Sequence, residues 1–332
     1  IYRFDKIWNI EKGGKMKKWI SYFLLATSVF SLDFSTEIDT TYKTDFSSNS
    51  TPITLKFNGE HSTDNIYGQF EIKADSETEE IELTKAYAET YKGNSTLTFG
   101  RQPISWGNAY IFNRLNNLTS INILNPNEKT ATLDGIKLKH SIGNSRVEGI
   151  VFNANDSSDN YALRYTTLIK NSELMLNYVK KEADLEVAGS ESTNDFILDF
   201  KGDLGVGIWT QFSYSFDTHK NFYLLGIDYS LTLFDQTLYL LNENSYDSNK
   251  ELLLNYFRYE YGFNEWTGIK GGLMIQEKNS ILTTTISHKL NDEIEINLSH
   301  IFTNLDETSS VGSKLKNTYS KNNLELQIKA VF

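Results

Sequence analysis

The side chains able to do covalent or metal chemistry are few and badly spaced. There are five histidines, at 61, 140, 219, 288 and 300, and no cysteine. Without a thiol, neither a disulfide nor a thiolate metal site can form, and no histidine pair has HxH or HxxxH spacing. His140 precedes Ser141 and His300 follows Ser299. Neighbours on an extended chain point to opposite faces, so neither pair is a dyad ready for acyl transfer. Asp217 and His219 are a further candidate, an Asp-His pair of the kind a rim-located protease uses. The sequence carries no Gly-rich phosphate loop and no basic aromatic patch for nucleic acid. These residues predict no enzyme, no cofactor and no metal.

Residues suited to lining a passage are better represented. Segment 103–130 is bracketed by Pro103 and Pro126 and holds Ile104, Trp106, Tyr110, Ile111, Phe112, Leu115 and Leu118. Other long connections, such as "EADLEVAGSEST" and "LDETSSVGSKLKNTYS", are hydrophilic. So much apolar surface must pack against something, and the nearest shelter is the interior of the fold that carries it. The expectation is an inward-folded loop, with Arg101 and Arg114 near an eyelet and Trp106, Tyr110 and Asn116 lining or bracing it. A loop folded over the rim as a lid is the alternative.

The elements that position this loop follow from period-two alternation, which continues through nearly everything after residue 32. Over 205–216, Val206, Ile208, Thr210, Phe212, Tyr214 and Phe216 oppose Gly207, Trp209, Gln211, Ser213 and Ser215. Over 222–233, Tyr223, Leu225, Ile227 and Tyr229 oppose Asp228, Ser230 and Thr232. With 20 Phe and 19 Tyr against 3 Pro, the composition suits a pleated surface. About eighteen strands result, within a range of 14 to 18, mostly near the roughly 9–11 residues that a tilted strand needs to cross a bilayer. Connections after even-numbered strands are tight, for example "HSTD", "KGNS" and "IGNS". Every long one, 103–130, 182–193 and 305–320, follows an odd-numbered strand. Short turns at one end and long loops at the other belong to a membrane barrel rather than a soluble sandwich. The predicted fold is all-β: a closed antiparallel transmembrane β-barrel with the inward loop after strand 5.

With the apolar set facing lipid, Glu37, Asp39, Glu71, Lys73, Asp228, Lys270, Glu295, Glu325 and Lys329 face the lumen. Glu71, Lys73 and Lys270 join the loop residues as pore candidates. A barrel of this width encloses an aqueous channel unless it is plugged.

The N-terminus reads as two layers ahead of one domain, 32–332. "MKKWISYFLLATSVFS", residues 16–31, has two lysines and then an apolar run, the form of a secretory signal peptide. Residues 1–15 read as an upstream extension from a mis-called start. Without residues 1–31, the 32 basic residues lose six and the 43 acidic residues lose two, which leaves a net charge of −15. That balance argues against nucleic acid or an anionic lipid surface as partner.

The last strand alternates Leu324, Leu326, Ile328, Ala330 and Phe332 with Glu325, Gln327 and Lys329. "LELQIKAVF" resembles the terminal signature of Gram-negative outer-membrane β-barrels, and "TLTFGRQPISWGNAYIFNRLNNL" resembles the strand-then-loop region of porin-like families related to alginate exporters. The resemblance implies an outer-membrane location, with the bilayer and the barrel-assembly machinery as partners. It also implies a water-filled channel for passive diffusion of small hydrophilic solutes, gated by size and charge at 103–130. A substrate-specific channel or exporter for a polymer or hydrophobic solute is the alternative, as is a non-conducting structural barrel. Monomer and homotrimer are both left open.

Overall fold

A computed structural model of the chain describes residues 33–44, 49–76, 79–115, 132–153, 160–182, 192–249, 251–306 and 322–332. The expected extension over 1–15 and leader over 16–31 lie outside them. The first strands are β1 (Asp33–Thr44), β2 (Asn49–Ser50), β3 (Ile53–Ser62), β4 (Ile66–Asp75), β5 (Glu80–Lys92) and β6 (Ser95–Pro103). Next come β7 (Thr132–Ile142), β8 (Ser145–Asn153), β9 (Asn160–Ile169), β10 (Ser172–Lys181), β11 (Thr193–Asp203) and β12 (Gly207–Ser215). The series ends with β13 (Lys220–Leu233), β14 (Gln236–Asp247), β15 (Leu252–Gly262), β16 (Thr267–Gln276), β17 (Asn279–Lys289), β18 (Ile294–Asn304) and β19 (Asn322–Val331).

The long strands pair antiparallel with their neighbours in order, and β19 returns to β1 from Glu37↔Val331 to Thr44↔Leu324. The two-residue β2 only prolongs the pairing of β3 with β1, so the closed barrel has 18 crossing strands. Phe332 completes the seam by exchanging backbone hydrogen bonds with Thr36, both 2.9 Å. Closure matters because hydrocarbon offers the backbone no partner, and a closed sheet leaves no edge unpaired.

The tight connections, such as 93–94, 143–144, 170–171 and 234–235, share one end of the barrel with the start of β1 and the end of β19. Pro103, Lys181 and Asn304, the last residues of β6, β10 and β18, lie at the other end. The alternation predicted from sequence is inverted relative to a water-soluble protein. Apolar side chains on the outer face are bare, with Phe34 70% and Val151 65% exposed. Polar ones on the inner face, among them Thr98, Gln102, Asn177, Asp195, Asp199 and Glu243, are buried. This is the distribution of a wall with hydrocarbon outside.

One local break interrupts the alternation. Glu71 pairs with Lys85 but Ile72 pairs with Leu83, so Thr84 is a β-bulge in β5. Its hydroxyl donates to the Glu71 carboxylate at 2.5 Å, and Lys85 Nζ pairs with the other oxygen at 2.7 Å. Ile81 and Leu83 therefore share the outer face with Ala86 and Ala88, an odd-to-even change that strict alternation does not foresee.

Candidate functional site

Pro103, without an N–H to continue a ladder, is the last residue of β6, and the chain then enters the barrel. Residues 104–115 run along the inner wall from β8 to β15 in two apolar patches. In the first, Ile104, Trp106 and Leu115 pack on Ile150, Phe152, Ala162, Val179 and Ile197. In the second, Ile111 and Phe112 pack on Trp209, Leu224, Leu241 and Tyr256. Where this segment covers it, the inner wall carries apolar patches set among buried polar side chains.

Burying five such loop side chains contributes on the order of 10 kcal/mol. Ordering the backbone of 104–115 costs at least as much, so polar contacts decide where the loop sits. Glu243, fully buried on β14, is the main one. Its Oε1 accepts the backbone N–H of Ile111 at 2.9 Å and of Phe112 at 2.7 Å. Its Oε2 accepts the N–H of Tyr110 and the indole N–H of Trp209, each at 2.7 Å. One carboxylate thus collects four donors, three of them consecutive amides of the loop. Gly226 on β13 makes this possible, because a Cβ there would overlap the Trp209 indole.

Further wall residues repeat the device. Glu148 accepts the indole N–H of Trp106 at 3.1 Å. Asp199 accepts the Asn108 N–H at 3.3 Å and the Gln211 amide at 3.0 Å. Gln211 Oε1 accepts the Arg114 N–H at 2.7 Å, and Asp195 accepts from Arg114 Nε at 2.9 Å. Inside the loop, the Asn113 amide donates to the Trp106 carbonyl, and Asn113 Oδ1 accepts the Leu115 N–H at 3.0 Å. Gly107, at φ 91°, carries the turn beneath Asn113, where a Cβ would collide with that side chain.

The candidates from sequence divide accordingly. Trp106 and Tyr110 brace the loop: the Tyr110 ring stacks on Tyr256 at 6.0 Å and lies 4.8 Å beneath the Arg258 guanidinium. Arg114 is lumen-side and held by Asp195. Asn116 lies outside the described residues. Arg101 is a correction. It has the parity of Leu97 and Phe99, which face outward, and its guanidinium grips Asp134 with two hydrogen bonds of 2.9 and 2.8 Å. A third bond of 2.8 Å goes to the Leu83 carbonyl, so Arg101 is fastened to the outer face near the long-loop end and does not line an eyelet.

Glu71 is tied to Thr84 and Lys85, Lys73 lies 3.8 Å from Asp75, and Lys270 faces Glu260 across β15 and β16. Among the described residues, no hydrogen bond or ion pair joins any of these three to 104–115. Leu324, Leu326, Ile328 and Ala330 share the outer parity on β19, while Gln327 turns inward to Asp39 at 2.6 Å. Among the described residues no group of three or more His, Asp or Glu side chains is arranged to hold a metal ion.

The residues missed from sequence are the receptors of the loop: Glu148, Asp195, Asp199, Gln211 and Glu243. A signal for them exists. Trp209, Leu224, Leu241 and Tyr256 sit at inward positions, and an apolar patch inside a wet pore must be covered.

No protein-family model and no curated protein matches the sequence. The structure does resemble solved ones. Pseudomonas aeruginosa OccD3 matches with TM-score 0.60 at 11% identity, over 91% of either chain. Salmonella typhi OmpF, solved with daunomycin, matches with TM-score 0.55 at 13% identity, over 91% of this chain and 98% of that one. A mutant Rhodopseudomonas blastica porin matches with TM-score 0.52 at 12% identity, over 91% and 100%. The likeness is one of fold, and the fold is that of outer-membrane porins.

Proposed function

We propose that the chain is an outer-membrane channel for small hydrophilic solutes, in which residues 104–115 narrow the lumen and set its size and charge limits. The observation that carries this reading is the grip of Glu243 on the amides of Tyr110, Ile111 and Phe112. A wall that commits a buried carboxylate to holding a loop inside the barrel reduces the open cross-section permanently. The porin fold supports the same reading.

The electrostatic consequence differs from what net charge alone implies. Glu148, Asp195, Asp199 and Glu243 each commit at least one carboxylate oxygen to the loop, so the acidic excess of the sequence is muted along it. Selection then rests on size and on the side chains left facing the water. In this reading residues 16–31 direct export and are removed, and Leu324, Leu326, Ile328, Ala330 and Phe332 are read during assembly.

The purified chain, reconstituted in a planar bilayer, is expected to give discrete current steps in potassium chloride. A folded, inserted protein that passes no current would refute the channel.

A further inference from the structure

We propose that a recess in the lumen wall beside the first loop residues is a binding subsite for a small oxyanion, a carboxylate or phosphate group carried by a passing solute. The inference rests on the channel reading only for how the ligand arrives. The recess holds about 270 Å³ between β5–β9 and the loop, and Thr98, Trp106, Lys137, Lys139, Arg146 and Arg164 are among its lining residues. At roughly 30 Å³ per liquid water, that is room for about nine waters, or for a phosphate or short dicarboxylate.

Charge in the recess is unbalanced. Its two carboxylates are occupied: Glu89 accepts from Thr98 Oγ1 at 3.0 Å and from Tyr91 at 2.7 Å, and Glu148 accepts from Trp106 and pairs with Arg146. Of the ion pairs between described residues, none involves Lys137, Lys139 or Arg164.

Arg164 is the strongest element of the site. It is only 7% exposed, yet its Nε has no hydrogen-bond partner. Its neighbours are the Met175 sulfur and the Trp106 ring, 5.7 Å beneath the guanidinium. Glu148 acts on the guanidinium electrostatically, but no carboxylate of a described residue is in ion-pair contact with it; a buried cation so placed is costly, and buried donors are rarely left unpaired. A guanidinium fork with two lysines nearby matches the oxygens of a carboxylate or phosphate.

The test is calorimetric titration of the full chain in detergent with sodium phosphate and, separately, sodium succinate. At least one should bind saturably at a single site. Neutralising the two lysines together (Lys137→Gln with Lys139→Gln) should weaken that binding about tenfold or more, the scale of losing a close charge partner. Lys270→Gln, at a lumen lysine outside the recess, should leave it unchanged. Saturation by one probe alone identifies the oxyanion and supports the site. Absence of saturable binding to both, or equal affinity in the double variant, overturns it. Lys139→Gln alone provides a milder variant if the double one folds poorly, and unchanged affinity in it together with an intact barrel would count against the site. Conductance separates the two readings: a protein that conducts without binding loses only the subsite, and one that binds without conducting loses only the channel.

Discussion

The indole N–H of Trp209 on β12 and the carboxylate of Glu243 on β14 meet at 2.7 Å on the inner face, across Gly226 of the intervening β13, and the same carboxylate grips three consecutive loop amides. Each such charge-assisted bond contributes about 1.5–3 kcal/mol. Glu243→Gln replaces an acceptor oxygen by an amide NH2 that faces other donors. The expected outcome is faster hydrogen exchange at Tyr110, Ile111 and Phe112, by about tenfold for each 1.4 kcal/mol lost, with strand amides unaffected. Unchanged protection at those amides would show that apolar packing alone holds the loop.

Gly226 keeps the space that Trp209 needs. Gly226→Val should displace the indole from its buried position, move its fluorescence to longer wavelength, and destabilise the protein by roughly 1–3 kcal/mol through overpacking. An emission spectrum identical to that of the parent would contradict this assignment.

The two arginines first grouped near an eyelet should separate in function. Arg101→Gln loses an outer-face pair with Asp134 and should leave single-channel current and reversal potential as they are. Arg114→Gln uncovers the charge of buried Asp195 on the lumen side and should shift the reversal potential toward cation preference. A shift with Arg101→Gln and none with Arg114→Gln would reverse the placement.

Much of this was legible in the sequence, and for physical reasons. Lipid outside and water inside impose period two on every crossing, so Tyr223, Leu225 and Ile227 could be set on the outer face, and all eighteen long strands found. Trp209 opposes the apolar set of its strand, and the structure has it inward beneath the loop. Arg101 could have been placed from the parity of Leu97 and Phe99; its closeness in sequence to the loop misled instead. The Thr84 bulge is a local slip that alternation hides. The grip of Glu243 on residues 110–112 joins segments more than 130 positions apart, and no spacing rule within one segment reveals it.

The absence of cysteine allows the wall to be mapped one residue at a time. Lys137→Cys, on the inner face, should react with a charged, water-soluble thiol reagent and lose current. Ile136→Cys, its outward neighbour, should be unreactive to the same reagent. Equal reaction at both would mean that β7 has the wrong register.

The most direct measurement is the single-channel conductance of the parent chain against a variant lacking residues 105–115, in the same salt and bilayer. Removal of the segment that lies inside the barrel is predicted to give clearly larger current steps and to admit larger neutral solutes. Equal steps in the two proteins would contradict the claim that this loop sets the width of the passage.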